Sequence, residues 1–65
     1  MKIELNGQST EVNAEILETM LKELGYDEGN FATAVNGTFV PQSARDSYIV
    51  VEGDRIEIVV PMQGG

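Results

Sequence analysis

The chain has 65 residues and a formal net charge of −7, with 4 basic and 11 acidic residues. This length allows one domain with a small core and no deep catalytic cleft. Cysteine and histidine are both absent, which excludes disulfides, thiolate metal sites, a cysteine nucleophile and the commonest general base. We therefore expect no enzymatic activity, no bound metal and no bound cofactor. The acidic charge disfavours nucleic acid and membrane surfaces and favours a protein partner with a basic patch.

Two Asn-Gly dipeptides predict β-hairpin turns, because this dipeptide readily adopts the positive φ angles of tight turns. Each dipeptide joins two strand-like segments. The predicted hairpins are 2–5 with 9–12 around Asn6-Gly7, and 31–35 with 38–40 around Asn36-Gly37.

The segment between the hairpins predicts one helix. Asn13 is a good N-cap for a helix that starts at Ala14, and Gly25 is placed to end it. The apolar residues at helical spacing form one stripe, which consists of Ile16, Leu17, Met20, Leu21 and Leu24. We expect this stripe to face the core.

The last third of the chain predicts a loop and a final strand. Residues 42–47 are polar and are expected to form a surface loop with one helical turn, and residues 52–54 form a turn. Residues 55–60 alternate as a strand, with Ile56, Ile58 and Val60 on one face and Glu57 and Val59 on the other.

A helix inserted between two hairpins is the pattern of the β-grasp fold. We therefore predict an α+β, ubiquitin-like domain over residues 1–60, with a mixed four- to five-stranded sheet packed on one α-helix. Resemblance to that fold implies that the last strand lies centrally and parallel to the first.

Residues 61–65 are predicted to form a flexible C-terminal tail. Pro61 has no N–H to donate to a sheet, so regular pairing should stop before it. Gly64 and Gly65 lack a Cβ and fit a narrow groove, and the tail reaches about 17 Å at most. These features suit a terminal carboxylate that enters the active site of another protein. The alternative interpretation is a frayed end or a cloning remnant.

The chain resembles the ubiquitin-like sulfur carriers of thiamine biosynthesis, the ThiS family, with the small subunit of molybdopterin synthase as a relative. The resemblance covers essentially the whole chain, although Gln42 stands where these proteins often have Arg and Glu52 where they often have Asp. It depends on four segments in this order: 34–37 (Ala-Val-Asn-Gly), 40–41 (Val-Pro), 52–59 (Glu-Gly-Asp-Arg-Ile-Glu-Ile-Val) and 64–65 (Gly-Gly).

This resemblance implies that Gly65 is the reactive residue. Its carboxylate would be adenylated with ATP by a ThiF-like partner enzyme and converted by a persulfide sulfur donor into a thiocarboxylate. A ThiG-like thiazole synthase would then consume that sulfur. Met62, Gln63 and Gly64 would thread the tail into the partner, and the carrier itself would need neither Cys nor His.

A partner must also recognise the folded body. Phe39, Val59 and Met62 are expected to form an apolar patch beside the tail; the alternative is that Phe39 is a core residue and Met62 a mobile one. The N-terminal residues contain only Ile3 and Leu5 as spaced large apolar side chains, so no signal peptide or membrane span is predicted. We expect a cytoplasmic protein that is monomeric when alone.

Three other interpretations remain open, and two further ones are disfavoured. The sulfur could serve molybdopterin or another sulfur-containing metabolite. The chain could be a ubiquitin-like modifier joined to lysines, or a binding module with an inert tail. An enzyme would need a carboxylate pair such as Glu52 and Asp54, which flank a turn glycine and are better explained by the turn itself. A divalent metal at the same pair has no further support.

Overall fold

The computed structural model describes residues 1–26 and 30–61. In chain order its elements are β1 (Lys2–Leu5), β2 (Gln8–Glu11), α1 (Leu17–Glu23), β3 (Ala32–Val35), β4 (Thr38–Val40), a 3₁₀ helix (Gln42–Ser47) and β5 (Arg55–Val59).

The five strands form one mixed sheet in the order β2-β1-β5-β3-β4. The two hairpins are antiparallel, β5 pairs antiparallel with β3, and β5 is parallel to β1. The last strand therefore lies in the centre of the sheet. This confirms the predicted β-grasp arrangement.

The core lies between α1 and one face of the sheet, which we call the inner face. The fully buried residues of the helix are Leu17, Met20 and Leu21, which all belong to the predicted apolar stripe. They pack with the inward residues of the strands and loops, which are Ile3, Val12, Val35, Val40, Val50, Ile56 and Ile58. Alternation along each strand leaves the opposite, outer face of the sheet uncovered by the helix.

The helix ends as the sequence predicts. Gly25 has φ +95°, its N–H donates to the Lys22 carbonyl over 3.1 Å, and the Tyr26 N–H donates to the Leu21 carbonyl over 2.7 Å. These two hydrogen bonds define a Schellman motif, which requires a residue with positive φ after the last helical turn.

The predicted helix start is wrong. The helix begins at Leu17 instead of Ala14, because Ile16 is extended and the residues before it bind other partners. The Glu23 carboxylate accepts hydrogen bonds from the backbone N–H groups of Asn13 and Ala14, and Ile16 pairs with Ile49. Glu23 is ten residues away from Asn13, so local capping preference was outweighed by a longer-range contact.

The last strand was predicted to extend to Val60, with Val60 on the same face as Ile56 and Ile58, and this end is also wrong. Ile56 and Ile58 are buried, with 1% and 7% of their surface exposed, whereas Val60 is 61% exposed. The strand ends at Val59, so the alternation that buries every second residue no longer applies at Val60.

Candidate functional site

The candidate site begins where β5 leaves the sheet. Val59 ends the strand, Val60 and Pro61 are exposed, and Pro61 is the last residue that the structure describes. Met62, Gln63, Gly64 and Gly65 lie outside the described residues, so their predicted roles in tail threading and in forming the adenylate and thiocarboxylate stay predictions. A central strand gives the start of the tail a rigid base, because it is hydrogen-bonded on both sides.

One of those sides is completed by a side chain. The backbone pairing of β1 with β5 covers only Glu4 with Arg55 and Leu5 with Ile56. Beyond it, the Oδ1 atom of Asn6 accepts a hydrogen bond from the Ile58 N–H over 2.8 Å, and Asn6 Nδ2 donates to the Ile58 carbonyl over 3.4 Å. The Asn6 amide thus takes the place of a strand residue beside the last residues of β5 before the tail.

Two of the three residues of the predicted apolar patch, Phe39 and Val59, lie on the outer face of the sheet, and the third, Met62, lies outside the described residues. Phe39 is 64% exposed and Val59 is 62% exposed. Phe39 lies directly opposite Ala34, and Val59 lies directly opposite Ala32, so these four residues form a continuous surface across β4, β3 and β5. We call them the outer-face patch. The exposure of Phe39 excludes its alternative role as a core residue, whereas a role in partner binding stays a prediction.

The remainder of the outer face is charged. Arg55 and Glu57 precede Val59 on the same face of β5, and Glu4 lies beside Arg55 on β1. The outer face therefore divides into an apolar half and a charged half, which is the arrangement of a small docking surface with a polar rim.

Arg45 is a residue whose importance the sequence did not indicate. It belongs to the 3₁₀ helix at residues 42–47, where a polar surface loop with one helical turn was predicted, yet only 6% of its surface is exposed. Its Nε atom donates to the Thr33 hydroxyl over 3.2 Å, its Nη2 atom donates to the Phe31 carbonyl over 2.8 Å, and its guanidinium carbon lies 4.4 Å from the centre of the Phe31 ring. All three partners are neutral.

Arg45 lines a cleft of about 280 Å³ at the base of the tail. The cleft is formed by Asn30, Phe31, Ala32, Gln42, Arg45, Val59 and Pro61. No acidic side chain is among these described residues, although acidic residues outnumber basic ones 11 to 4 in the chain. The cleft shares Ala32 and Val59 with the outer-face patch.

The carboxylates considered for acid–base chemistry are used by the turn. Glu52 Oε1 accepts from the Lys2 N–H over 3.0 Å, and the two oxygens of Asp54 accept from the Val51 N–H and from Asn36 Nδ2, each over 2.9 Å. In residues 1–26 and 30–61 no group of three acidic, His or Cys side chains is arranged to hold a metal ion. These contacts give both carboxylates a structural role, because Glu52 connects the turn to β1 and Asp54 binds the backbone of the turn itself.

A second exposed apolar pair was not predicted. Ile49 is 64% exposed and Val51 is 58% exposed, in the segment between the 3₁₀ helix and β5. This pair provides matched control positions for the outer-face patch, because its side chains are equally exposed.

Among the helices of residues 1–26 and 30–61, none has the length and apolar character needed to span a membrane.

The fold defines the class of protein first: a small ubiquitin-like domain with a β-grasp sheet. A solved structure of the thiamine biosynthesis protein ThiS from Geobacter metallireducens superposes with a TM-score of 0.84 and 28% identity, and each chain is covered completely. The model of the ThiS family matches residues 3–65. The chain belongs to the ThiS family.

A curated relative places a similar sequence inside a longer protein. The thiazole synthase of Paramagnetospirillum magneticum is 36% identical over 66 residues, which cover the whole of this chain. The match occupies 20% of that relative, so this chain spans about one fifth of its length.

Proposed function

We propose that this protein is a sulfur carrier of thiamine biosynthesis, with the Gly65 carboxylate as the group that carries sulfur. The observation that carries the proposal is the match to the ThiS family over residues 3–65, which includes both terminal glycines. The position of β5 supports it, because a central strand presents the tail from a rigid base beside the outer-face patch.

The chemistry requires a partner enzyme and ATP. A carboxylate is a poor acyl donor because it has no good leaving group, so the Gly65 oxygen attacks the α-phosphate of ATP and releases pyrophosphate. Sulfur from a persulfide donor then attacks the acyl carbon and displaces AMP, and reductive cleavage of the S–S bond by a thiol leaves a thiocarboxylate. The ThiF-like partner supplies the nucleotide site, and the carrier supplies the reacting carboxylate and no bound cofactor.

A ThiG-like thiazole synthase is the proposed consumer of the thiocarboxylate. The support is the curated relative, in which a region similar to this chain occurs within a polypeptide named thiazole synthase. Transfer of the sulfur returns the carboxylate, so the carrier is a recyclable cosubstrate. In this role it performs no catalysis of its own.

The first experiment measures intact mass and fragments after incubation with ATP, the adenylating enzyme and a sulfur donor. Exchange of oxygen for sulfur adds nearly the same mass as oxidation of one of the 3 Met residues, so the fragments must locate the change at Gly65. The control is a variant with one Ala added after Gly65, which should fold normally and stay unmodified. An unmodified Gly65 with a verified enzyme would contradict the proposal.

The outer-face patch is proposed as the docking surface for the adenylating enzyme. Val59→Ser should raise the carrier KM by roughly tenfold with little change in kcat, because an anchor at an apolar contact is worth more than 1 kcal/mol. Val51→Ser is the matched control, since Val51 has similar exposure but lies outside the patch. Equal KM values for the two variants would exclude the patch as the docking surface.

A further inference from the structure

The guanidinium group of Arg45 is a buried positive charge without a counter-ion among the described residues. In residues 1–26 and 30–61 the sole ion pair joins the N-terminal amino group to Glu11. Burial of an uncompensated cation is unfavourable, and arginine is seldom buried to 6% exposure without a carboxylate partner. Hydrogen bonds to Thr33 and Phe31 and the contact with the Phe31 ring offset part of this cost.

One edge of the group makes no hydrogen bond to the described residues. The hydrogen bonds to protein use Nε and one proton of Nη2. Nη1 has no hydrogen-bond partner among the described residues, and Arg45 is one of the residues that line the cleft. Nη1 and the second proton of Nη2 together form the paired donor arrangement that matches the two oxygens of a carboxylate.

The location of the cleft determines what happens when the tail is bound. Val59 and Pro61 form one wall, so a protein that encloses the tail up to its base also covers the cleft. Covering it removes the water that solvates Nη1. The partner must then supply an acceptor, because a buried charged donor without one carries its full desolvation penalty.

We propose that the cleft receives an aspartate or glutamate side chain of the thiazole synthase, which binds Nη1 and Nη2 of Arg45. This inference rests on the proposed function for the identity of the partner, and it adds a specific contact to it. The synthase carboxylate is the counter-ion that residues 1–26 and 30–61 of the carrier do not supply. The contact sets the register of the synthase on the carrier, because a paired hydrogen bond fixes both distance and orientation.

The test leaves Arg45 in place and supplies a competing carboxylate. Gln42 lines the same cleft and lies three residues before Arg45 in the 3₁₀ helix, where residues i and i+3 share a face. Gln42→Glu changes charge with almost no change in shape. Ser43→Glu is the control, because Ser43 is exposed on the same helix and lines a different hollow with Glu18 and Asp46.

Calorimetric titration of each variant with the thiazole synthase gives the first readout. Gln42→Glu should weaken binding by at least about tenfold, because the introduced carboxylate occupies Arg45 and repels the synthase carboxylate. Ser43→Glu should stay within about twofold of the parent protein. General attraction between this acidic carrier and a basic partner predicts the opposite sign for Gln42→Glu, so unchanged or tighter binding would overturn the inference.

NMR titration of the carboxyl group introduced by Gln42→Glu gives a second readout that needs no partner. A guanidinium that is free to pair should hold the pKa of this group below the ordinary value of about 4.3. An ordinary or raised pKa would overturn the inference, because it would mean that Arg45 is already neutralised within the chain. Asp27→Asn and Glu28→Gln in the same background identify the neutralising residue in that case.

The two proposals fail in different ways. Sulfur on Gly65 together with unchanged synthase binding by Gln42→Glu would leave the carrier function intact and exclude the cleft contact. Loss of synthase binding in the parent protein would instead contradict the synthase partnership, and with it the named occupant of the cleft.

Discussion

The two Asn-Gly turns have the same sequence and nearly the same backbone, but they stabilise opposite ends of β5. Asn6 and Gly7 have φ values of 47° and 84°, and Asn36 and Gly37 have φ values of 52° and 85°. In both turns the Asn N–H donates to a β5 carbonyl, at 2.9 Å to Ile56 and at 2.7 Å to Arg55.

Their side chains differ in what they bind. The Asn6 amide binds both backbone groups of Ile58, next to the tail. The Asn36 amide accepts from the Arg55 N–H over 2.9 Å and donates to the Asp54 carboxylate over 2.9 Å, at the start of the strand. The first set of bonds is partly buried and the second is exposed.

Strand direction explains the difference. β1 runs parallel to β5, so the turn that follows β1 lies beside the C-terminal end of β5. β3 runs antiparallel to β5, so the turn that follows β3 lies beside its N-terminal end. An identical dipeptide thus supports the base of the tail in one hairpin and the entry to the strand in the other.

The largest loss of stability is expected from a substitution in the core. Leu21 is 1% exposed between α1 and the sheet, so Leu21→Ala should lower the free energy of unfolding by about 2 to 5 kcal/mol. Urea denaturation measures the change. An unchanged midpoint would show that the inner face tolerates a cavity at this position.

Removal of the Asn6 amide should lower the free energy of unfolding more than removal of the Asn36 amide. Glycine tolerates a φ of 47°, so Asn6→Gly removes the side-chain bonds without backbone strain. We expect a loss of about 1 to 3 kcal/mol, because both Ile58 groups lose their partner beside a partly buried strand. Hydrogen exchange of the Ile58 amide should accelerate at the same time. A protected Ile58 amide would argue against the role of Asn6 at the base of the tail.

Asn36→Gly is the matched substitution in the second turn. Its bonds are solvent-exposed, so we expect a smaller loss of about 0.5 to 1.5 kcal/mol and unchanged exchange at Ile58. The measurement is the same denaturation series. A loss equal to or larger than that of Asn6→Gly would reverse the comparison.

Glu23 is a third side chain that holds backbone from a distance, and its effect should depend on pH. Hydrogen bonds from the Ala14 and Asn13 N–H groups lower the pKa of the Glu23 carboxyl below its ordinary value. A lowered folded-state pKa gives stability that is present above the ordinary carboxyl range and lost as pH falls through the folded value.

Glu23→Gln should therefore lower the free energy of unfolding near neutrality and approach the parent protein in acid, so that its own loss of stability below about pH 4 is flatter. Thermal unfolding across pH 2 to 7 checks this, with Glu15→Gln as a control that removes a charge from the same segment. Identical acid profiles for the parent protein and Glu23→Gln would contradict the assignment.

The sequence alone determined the local elements of this protein. Both turns, the strand segments beside them, the end of the helix at Gly25 and the apolar stripe depend on φ preferences and on periodicity, which are properties of neighbouring residues. The order of strands followed from resemblance to the β-grasp pattern, and family membership rests on motifs that the chain displays in order.

Only the tertiary structure decided which partners those elements meet. Hydrogen bonds to Glu23 accompany a helix start at Leu17, and the Asn6 side chain binds Ile58. Arg45 is buried within a segment whose sequence is polar. Each contact joins residues 9 to 52 positions apart, and no local preference encodes such a separation. The cleft at the base of the tail therefore exists only once β3, the 3₁₀ helix and β5 have come together.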